Sequence, residues 1–270
     1  MSRIADRVRV FHELHQTGCF VLPNPWDVGS ARILAQLGFK ALATTSSGFA
    51  WTLGRADNHV PLEQVLAHLH DIASAVDVPV NADFEGGFAV APDEVAANVM
   101  RAVATGIAGL SIEDSTGNAN APLFDLELAT DRVRAVRAAI DASGTGVLLV
   151  GRAEGFVAGR PDLADVIARL TSYADAGADV LYAPGLRSRT DIAAVVAAVA
   201  PKPVNVLVSS GFTSVEELAA LGVRRISVGG ALARAAWGGF LAAADEIARF
   251  GTFTALDKAA PSGILDERFR

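Results

Sequence analysis

The chain has 270 residues, 51% of them hydrophobic, and 23 basic against 30 acidic side chains give a formal charge of −7. That length fits one large domain with a sizeable core, and the acidic balance argues against a nucleic-acid partner, whose binding proteins carry basic patches. One cysteine, Cys19, excludes a disulfide framework; no apolar run approaches the roughly 20 residues of a membrane span, and the mixed-charge start, Met1 to Arg7, lacks a signal core, so the expected location is cytoplasmic, with no membrane partner.

The spacing predicts alternating helices and strands. A helix over 4–17 carries Ile4, Val8, Phe11 and Leu14 on one face, Gly18 closes it, and a strand follows over 20–24. A helix over 27–37 stops at Gly38 before a strand over 41–45. Beyond a loop, Pro61 opens a helix to about 76, and 78–83 is a third strand. Pro92 precedes a helix ended by Gly106, and 109–113 is the fourth strand. The scheme repeats with strands over 147–151, 180–183, 203–208 and 225–228, separated by helices over 126–142, 163–176, 190–199 and 215–221. A long helix over 231–250 comes last.

Eight short apolar strands, each followed by a helix, predict a (β/α)8 TIM-type barrel. Gly38, Gly106, Gly177 and Gly222 recur where a helix cap belongs. An open doubly wound sheet would want a Gly-rich phosphate fingerprint after strand one, and Asn24-Pro25-Trp26-Asp27 is unlike it. The expected organisation is a single domain over 1–270, with 1–18 an N-terminal helix and 231–270 a C-terminal helical segment.

Barrel chemistry sits at the C-terminal ends of the strands, which sorts the polar residues. Strand one ends at Asn24, Trp26 and Asp27, the last also readable as a helix N-cap. Strand two runs into Thr44-Thr45-Ser46-Ser47-Gly48, either a nest of backbone N–H groups for an anion or a plain Ser/Gly loop. Asp57 follows in a polar loop. Strand three ends in Asp83 and Glu85, strand four in Glu113 and Asp114, strand five in Arg152, strand six in Tyr182, and strand seven carries Asn205. Taken singly, each acid reads as a solvated turn residue. Acids on neighbouring strand ends repel one another unless a cation or proton lies between them, and a buried arginine needs an anion. The loop 115–124 is long and polar, either a lid or a surface connection. Cys19 lies at the wrong end of the barrel, and His12, His15, His59, His68 and His70 read as surface or packing residues.

Three motifs, Asn81-Ala82-Asp83-Phe84-Glu85-Gly86-Gly87-Phe88, Gly109-Leu110-Ser111-Ile112-Glu113-Asp114 and Gly151-Arg152-Ala153-Glu154, resemble the isocitrate lyase/phosphoenolpyruvate mutase superfamily in order and spacing. The resemblance implies a Mg²⁺-dependent barrel, with Mn²⁺ as the alternative ion, acting beside a 2-oxo acid carboxylate. It implies Asp83 as metal ligand, with Asp57, Glu85 and Glu113 holding the ion directly or through water. Ser46, Ser47 and Gly48 would bind the substrate carboxylate, Arg152 would clamp it, and Trp26 would form an aromatic wall. The last helix would swap between subunits of a homo-oligomer, dimer or tetramer; an ordinary eighth helix is the other reading. The loop 115–124 departs from the lyases, having no Cys, Lys or His, and from the mutases, having Asn118 and Asn120 but no Lys. These features lead to an expected carbon–carbon lyase that takes a small 2-oxo or 2-hydroxy acid through an enolate, like an oxaloacetate decarboxylase, with Tyr182 or water as proton source. A P–C bond mutase or hydrolase using Asn118 and Asn120, a non-catalytic oxoacid-binding barrel, and a sugar-phosphate barrel using the Ser/Gly loops after strands seven and eight stay as alternatives.

Overall fold

In a computed structural model, which describes residues 3–270, helices and strands alternate as the periodicity requires. Helix α1 (Arg3–Gln16) leads into β1 (Phe20–Leu22), α2 (Val28–Gln36), β2 (Leu42–Ala43), α3 (Ser46–Thr52), α4 (Leu62–Ala75), β3 (Val80–Asp83) and α5 (Pro92–Val103). There follow β4 (Gly109–Glu113), α6 (Leu126–Ser143), β5 (Leu148–Arg152), α7 (Leu163–Asp175), β6 (Val180–Tyr182), α8 (Arg189–Ala198), β7 (Val204–Leu207), α9 (Val215–Ala220), β8 (Arg225–Ser227) and α10 (Ala231–Phe250). A 3₁₀ turn (Thr254–Lys258) and α11 (Ser262–Phe269) complete the chain. Residues 1 and 2, part of the expected N-terminal helical segment, lie outside the described residues.

All strand pairs are parallel, in the order β1-β8-β7-β6-β5-β4-β3-β2. The ring closes between β1 and β2 through the Ala43 amide, which donates to the Pro23 carbonyl at 3.1 Å. Asn24 fastens the same seam: its Nδ2 donates to the Thr44 carbonyl, and its Oδ1 accepts from the Val228 and Gly229 amides, each at 2.9 Å. The expected (β/α)8 barrel is therefore the observed one. Among the described residues no helix is long and apolar enough to cross a membrane.

Side chains two apart on a strand share a face. Val150, Val180 and Tyr182 pack together inside the barrel, so Arg152, two residues beyond Val150, points into the barrel mouth. By the same count Asn81 leads to Asp83, Ser111 to Glu113, and Arg225 to Ser227. Helix α1 stops the opposite end: a Cβ on Gly109, the first residue of β4, would fall 2.6 Å from the Phe11 ring. A second apolar layer joins strands to the outer helices.

One local expectation changes. The loop read over 44–49 is mostly helix: Thr45 caps α3, its hydroxyl accepting from the Gly48 amide. Small polar residues after a β-branched cap suit a first helical turn as well as a loop. Asp27 does cap α2, in a reciprocal box with Ser30.

Candidate active site

The three quoted motifs meet at the barrel mouth. Arg152 Nη1 lies 3.1 Å from Asp83 Oδ1 and 3.1 Å from Glu113 Oε2, and its Nε donates to Glu154. Asp83 is held on its other oxygen by the Ser46 amide at 2.9 Å, while its own amide donates to Thr44 Oγ1 at 2.9 Å. Glu85 follows in a turn with φ +47°, a left-handed conformation for a residue with a side chain. The Glu113 amide donates to the Glu85 carbonyl at 3.1 Å and helps fix that turn. Asp57 reaches in from the loop after α3, its carboxylate taking a hydrogen bond from Ser46 and facing Asp83.

Asp83, Glu113 and Glu154 thus share one guanidinium, and the Glu85 and Asp57 carboxylates stand against Asp83 behind them. Burial alone would weaken the Arg152 charge, but Glu113, Glu154 and Asp83 hold its pKa well above the ordinary value. Burial lifts Glu113, and Glu154, Asp83 and Glu85 lift it further against the pull of Arg152. Glu154 is raised too, by burial first. A raised arginine and raised partner acids look contradictory for a simple ion pair. They are consistent here because one positive charge cannot neutralise so many acids, and the surplus negative charge retains protons. Glu85, which makes no ion pair among the described residues, is pushed up to about 8 by burial, then by Asp83 and Asp57. Asp57 is raised by burial and by Asp83.

This donor set fits Mg²⁺. It offers only hard oxygen ligands and an excess of negative charge that a divalent cation would relieve. Among the described residues no three His, Cys, Asp or Glu side chains converge as a direct metal cage. Arg152 lies among these acids and pairs with two of the four expected metal carboxylates, Asp83 and Glu113.

The other expected residues fall into three groups. Trp26, Ser46, Ser47 and Gly48 assemble at the mouth: a Cβ on Gly48 would come within 3.0 Å of Trp26 Cβ, and Ser47 Oγ lies 3.2 Å from Thr45 Oγ1. Tyr182 also lines the mouth, its ring centre 5.3 Å from the Arg152 guanidinium carbon. Burial raises its phenol to about 12, against the lowering effects of Arg152 and a Ser227 hydrogen bond. Asn205 sits deeper, its amide donating to Ser227 Oγ at 3.0 Å and accepting from Arg225 Nε at 2.9 Å. Asn118 and Asn120 are exposed on the loop 115–124, where Asn118 Oδ1 accepts from the Asn120 amide at 3.0 Å. A cavity of about 360 Å³ opens beside the cluster between that loop and the Glu85 turn, and Glu113, Thr116 and Phe124 help to line it.

Asp114, which the sequence offers as one more strand-end acid, is a buried support, and its partners Tyr173 and Arg169 had no place in that reading. Asp114 is buried and accepts from Tyr173 Oη at 2.6 Å, Arg169 Nη1 at 3.0 Å and the Glu154 amide at 2.8 Å. It ties the end of β4 to α7 and to the backbone beyond Arg152. The signal was present in α7, where Val166, Arg169, Leu170 and Tyr173 form one buried stripe. An arginine in such a stripe is a core residue, and it needs a buried partner.

The family model described as phosphoenolpyruvate phosphomutase matches residues 11–248. A solved structure from Burkholderia cenocepacia J2315, provisionally described as a lyase/mutase, superposes with a TM-score of 0.96 at 47% identity, covering 99% of this chain and 98% of that one. An oxaloacetate decarboxylase of Paraburkholderia xenovorans is 30% identical over 70% of this chain and 64% of its own length. A structure of oxaloacetate acetylhydrolase with its product oxalate superposes with a TM-score of 0.86 at 27% identity, over 98% of this chain and 94% of that one.

Proposed function

The chain belongs to the isocitrate lyase/phosphoenolpyruvate mutase superfamily, and from that premise we propose that it is a Mg²⁺-dependent carbon–carbon lyase acting on a small 2-oxo diacid, with oxaloacetate decarboxylation as the concrete reaction. The observation that carries this reading is the shared guanidinium of Arg152 between Asp83 and Glu113, beside carboxylates that carry surplus negative charge. Oxaloacetate decarboxylases among the relatives support it.

Asp83 would hold Mg²⁺ directly, with Asp57, Glu85 and Glu113 reaching it directly or through water; Mn²⁺ would serve the same donors. Bound there, the ion supplies a Lewis acid for the oxo and carboxylate oxygens. Arg152 would turn part of its fork from the acids to the substrate carboxylate, a bidentate match. Ser46, Ser47 and Gly48 would bind the same carboxylate from the start of α3, and Trp26 would wall it. Asn205, through Ser227, would steady Tyr182 beneath the substrate. The bond between C3 and C4 breaks, C4 leaves as carbon dioxide, and its electron pair becomes the enolate of pyruvate. Arg152 stabilises that charge as it develops. Tyr182, a neutral phenol below pH 12, or a water molecule then donates the proton to C3. Asn118 and Asn120 would close over the site and exclude water.

Purified protein with Mg²⁺ and oxaloacetate should yield pyruvate and carbon dioxide. Oxalate with acetate would indicate hydrolysis instead, and no turnover of any 2-oxo diacid would sink the reading and leave a binding barrel. The matching family description favours P–C bond chemistry as second reading; ³¹P NMR on phosphoenolpyruvate and phosphonopyruvate separates the two. The reading also includes a cytoplasmic homo-oligomer, dimer or tetramer. Trp237, Phe240 and Leu241 of α10 and Phe250 at its end are exposed, an apolar face that a second copy would cover. Light scattering on the purified protein would give the subunit number.

A further inference from the structure

Arg132, on α6, is among the largest fully buried side chains of the protein, with 1% exposure. It makes no ion pair among the described residues, and its Nε and Nη1 have no hydrogen-bond partner. Asp114 and Glu113 act on it only from a distance, and burying a guanidinium with no carboxylate in contact is costly, so packing alone does not account for it. A methionine would fill similar space without unmet donors. The two contacts Arg132 does make are informative. Its Nη2 donates to the Gly86 carbonyl, in the turn that sets Glu85 in its left-handed conformation. Its Cζ lies 4.1 Å from the centre of the Phe124 ring. Phe124 closes the loop 115–124: its amide donates to the Asp114 carbonyl at 2.9 Å, and Ser115 pairs with Leu123 across the base.

We propose that Arg132 is a positioning residue that couples the Glu85 turn to the base of the loop over the barrel mouth, so that the two move as one unit around the cavity they share. One edge of the guanidinium holds the turn, and its face holds the loop. Glu85, Phe124 and Arg132 all line that cavity of about 360 Å³. The inference rests on the reading of Glu85 as part of a metal and oxoacid site, and it deepens that reading by naming what sets its geometry.

Hydrogen exchange on the metal-free full chain, with Mn²⁺ affinity measured by electron paramagnetic resonance, tests it. Arg132→Met should speed exchange by about tenfold or more at both 84–88 and 115–124, and weaken Mn²⁺ binding about fivefold or more. Arg132→Lys, which keeps a donor and a charge over the ring, should restore part of both. Phe124→Leu tests the coupling without disturbing the arginine: it should loosen 84–88 as well as its own loop. The proposal is overturned if Phe124→Leu leaves 84–88 unchanged, or if Arg132→Met loosens the whole barrel evenly. If the wild type binds no Mn²⁺, the metal reading fails, while the exchange data still decide the coupling.

Discussion

Arg152 Nη1 stands 3.1 Å from Glu113 Oε2, so the ends of β4 and β5 share one buried charge pair. The same nitrogen reaches Asp83 on β3. Arg152→Gln leaves these acids without their cation. Removing one partner of a buried pair costs about 3–5 kcal/mol, and losing a donor aimed at developing charge costs roughly 100- to 1,000-fold in kcat. Arg152→Gln should therefore lose both stability at pH 8 and turnover, and Mg²⁺ should recover part of the stability only. Urea denaturation with and without Mg²⁺, beside an oxaloacetate assay, measures the two effects separately.

Glu85 gives a pH dependence of definite sign. Its folded pKa is about 8, above the ordinary carboxylate value of 4.5. A raised folded pKa favours the protonated native state, so its contribution is complete below about 4.5 and is lost as pH rises to about 8. Metal-free protein should melt lower at pH 8.5 than at pH 5.5, by on the order of 5 °C. Glu85→Gln should flatten that slope, leaving the share due to Glu113 and Glu154, which burial and neighbouring acids also raise. Mg²⁺ binding must displace the retained proton, so affinity in wild type should rise with pH toward 8 and do so less in Glu85→Gln. A melting temperature that climbs over this range would contradict the geometry of the acid cluster.

Much of this was legible in the sequence because period-two strands and glycine-capped helices are local signals. Asp83, Glu113 and Arg152 stand at or next to the ends of apolar runs, and the barrel rule turns that position into a shared mouth. What was not legible depends on the third dimension. The hydroxyl-rich stretch after β2 reads equally as loop or helix start until Thr45 is seen capping it. Asn205 and Tyr182 both sit on inward strand faces, yet one faces Arg225 and the other Arg152. Arg132 and Arg169 hide in helices whose charge pattern suggests solvent, and only their phase with buried Val136 and Val166 betrays them.

Asp114 should behave unlike its neighbour Glu113. Its carboxylate receives Tyr173, Arg169 and a backbone amide, and Tyr173 is raised by burial and by Asp114. Tyr173→Phe removes one buried donor and should cost about 1–3 kcal/mol. Asp114→Ala takes away the buried partner of Arg169, leaving it the more exposed Asp165 at 2.8 Å, and deprives the Tyr173 hydroxyl of its acceptor, so it should cost at least as much, about 2–3 kcal/mol. Both should leave direct Mn²⁺ affinity close to that of wild type, because neither belongs to the acids that would hold the ion. Denaturant titration and metal titration on the same variants distinguish this support from ligation.

Gly48 tests whether the start of α3 must lie this close to the barrel. Its backbone is ordinary helix, so only space forbids a side chain. An added Cβ would fall 2.6 Å from Thr45 Cγ2, 3.0 Å from Trp26 Cβ and 3.3 Å from Ala233 Cβ. The first is a methyl on the capping residue, and the others belong to neighbouring segments that cannot all retreat. Gly48→Ala should cost about 1–3 kcal/mol by overpacking. It should also draw the Ser46 amide away from Asp83, since both belong to the same helical turn. Thr45→Ser in the same chain removes the nearest methyl but keeps the capping oxygen, so the double variant should regain part of the loss. Melting temperature and oxalate affinity in the presence of Mg²⁺ should fall together in Gly48→Ala and recover together in the double variant. Wild-type stability in Gly48→Ala would mean that the close approach of Trp26 and Ala233 has slack, and that the position of Ser46 is set elsewhere.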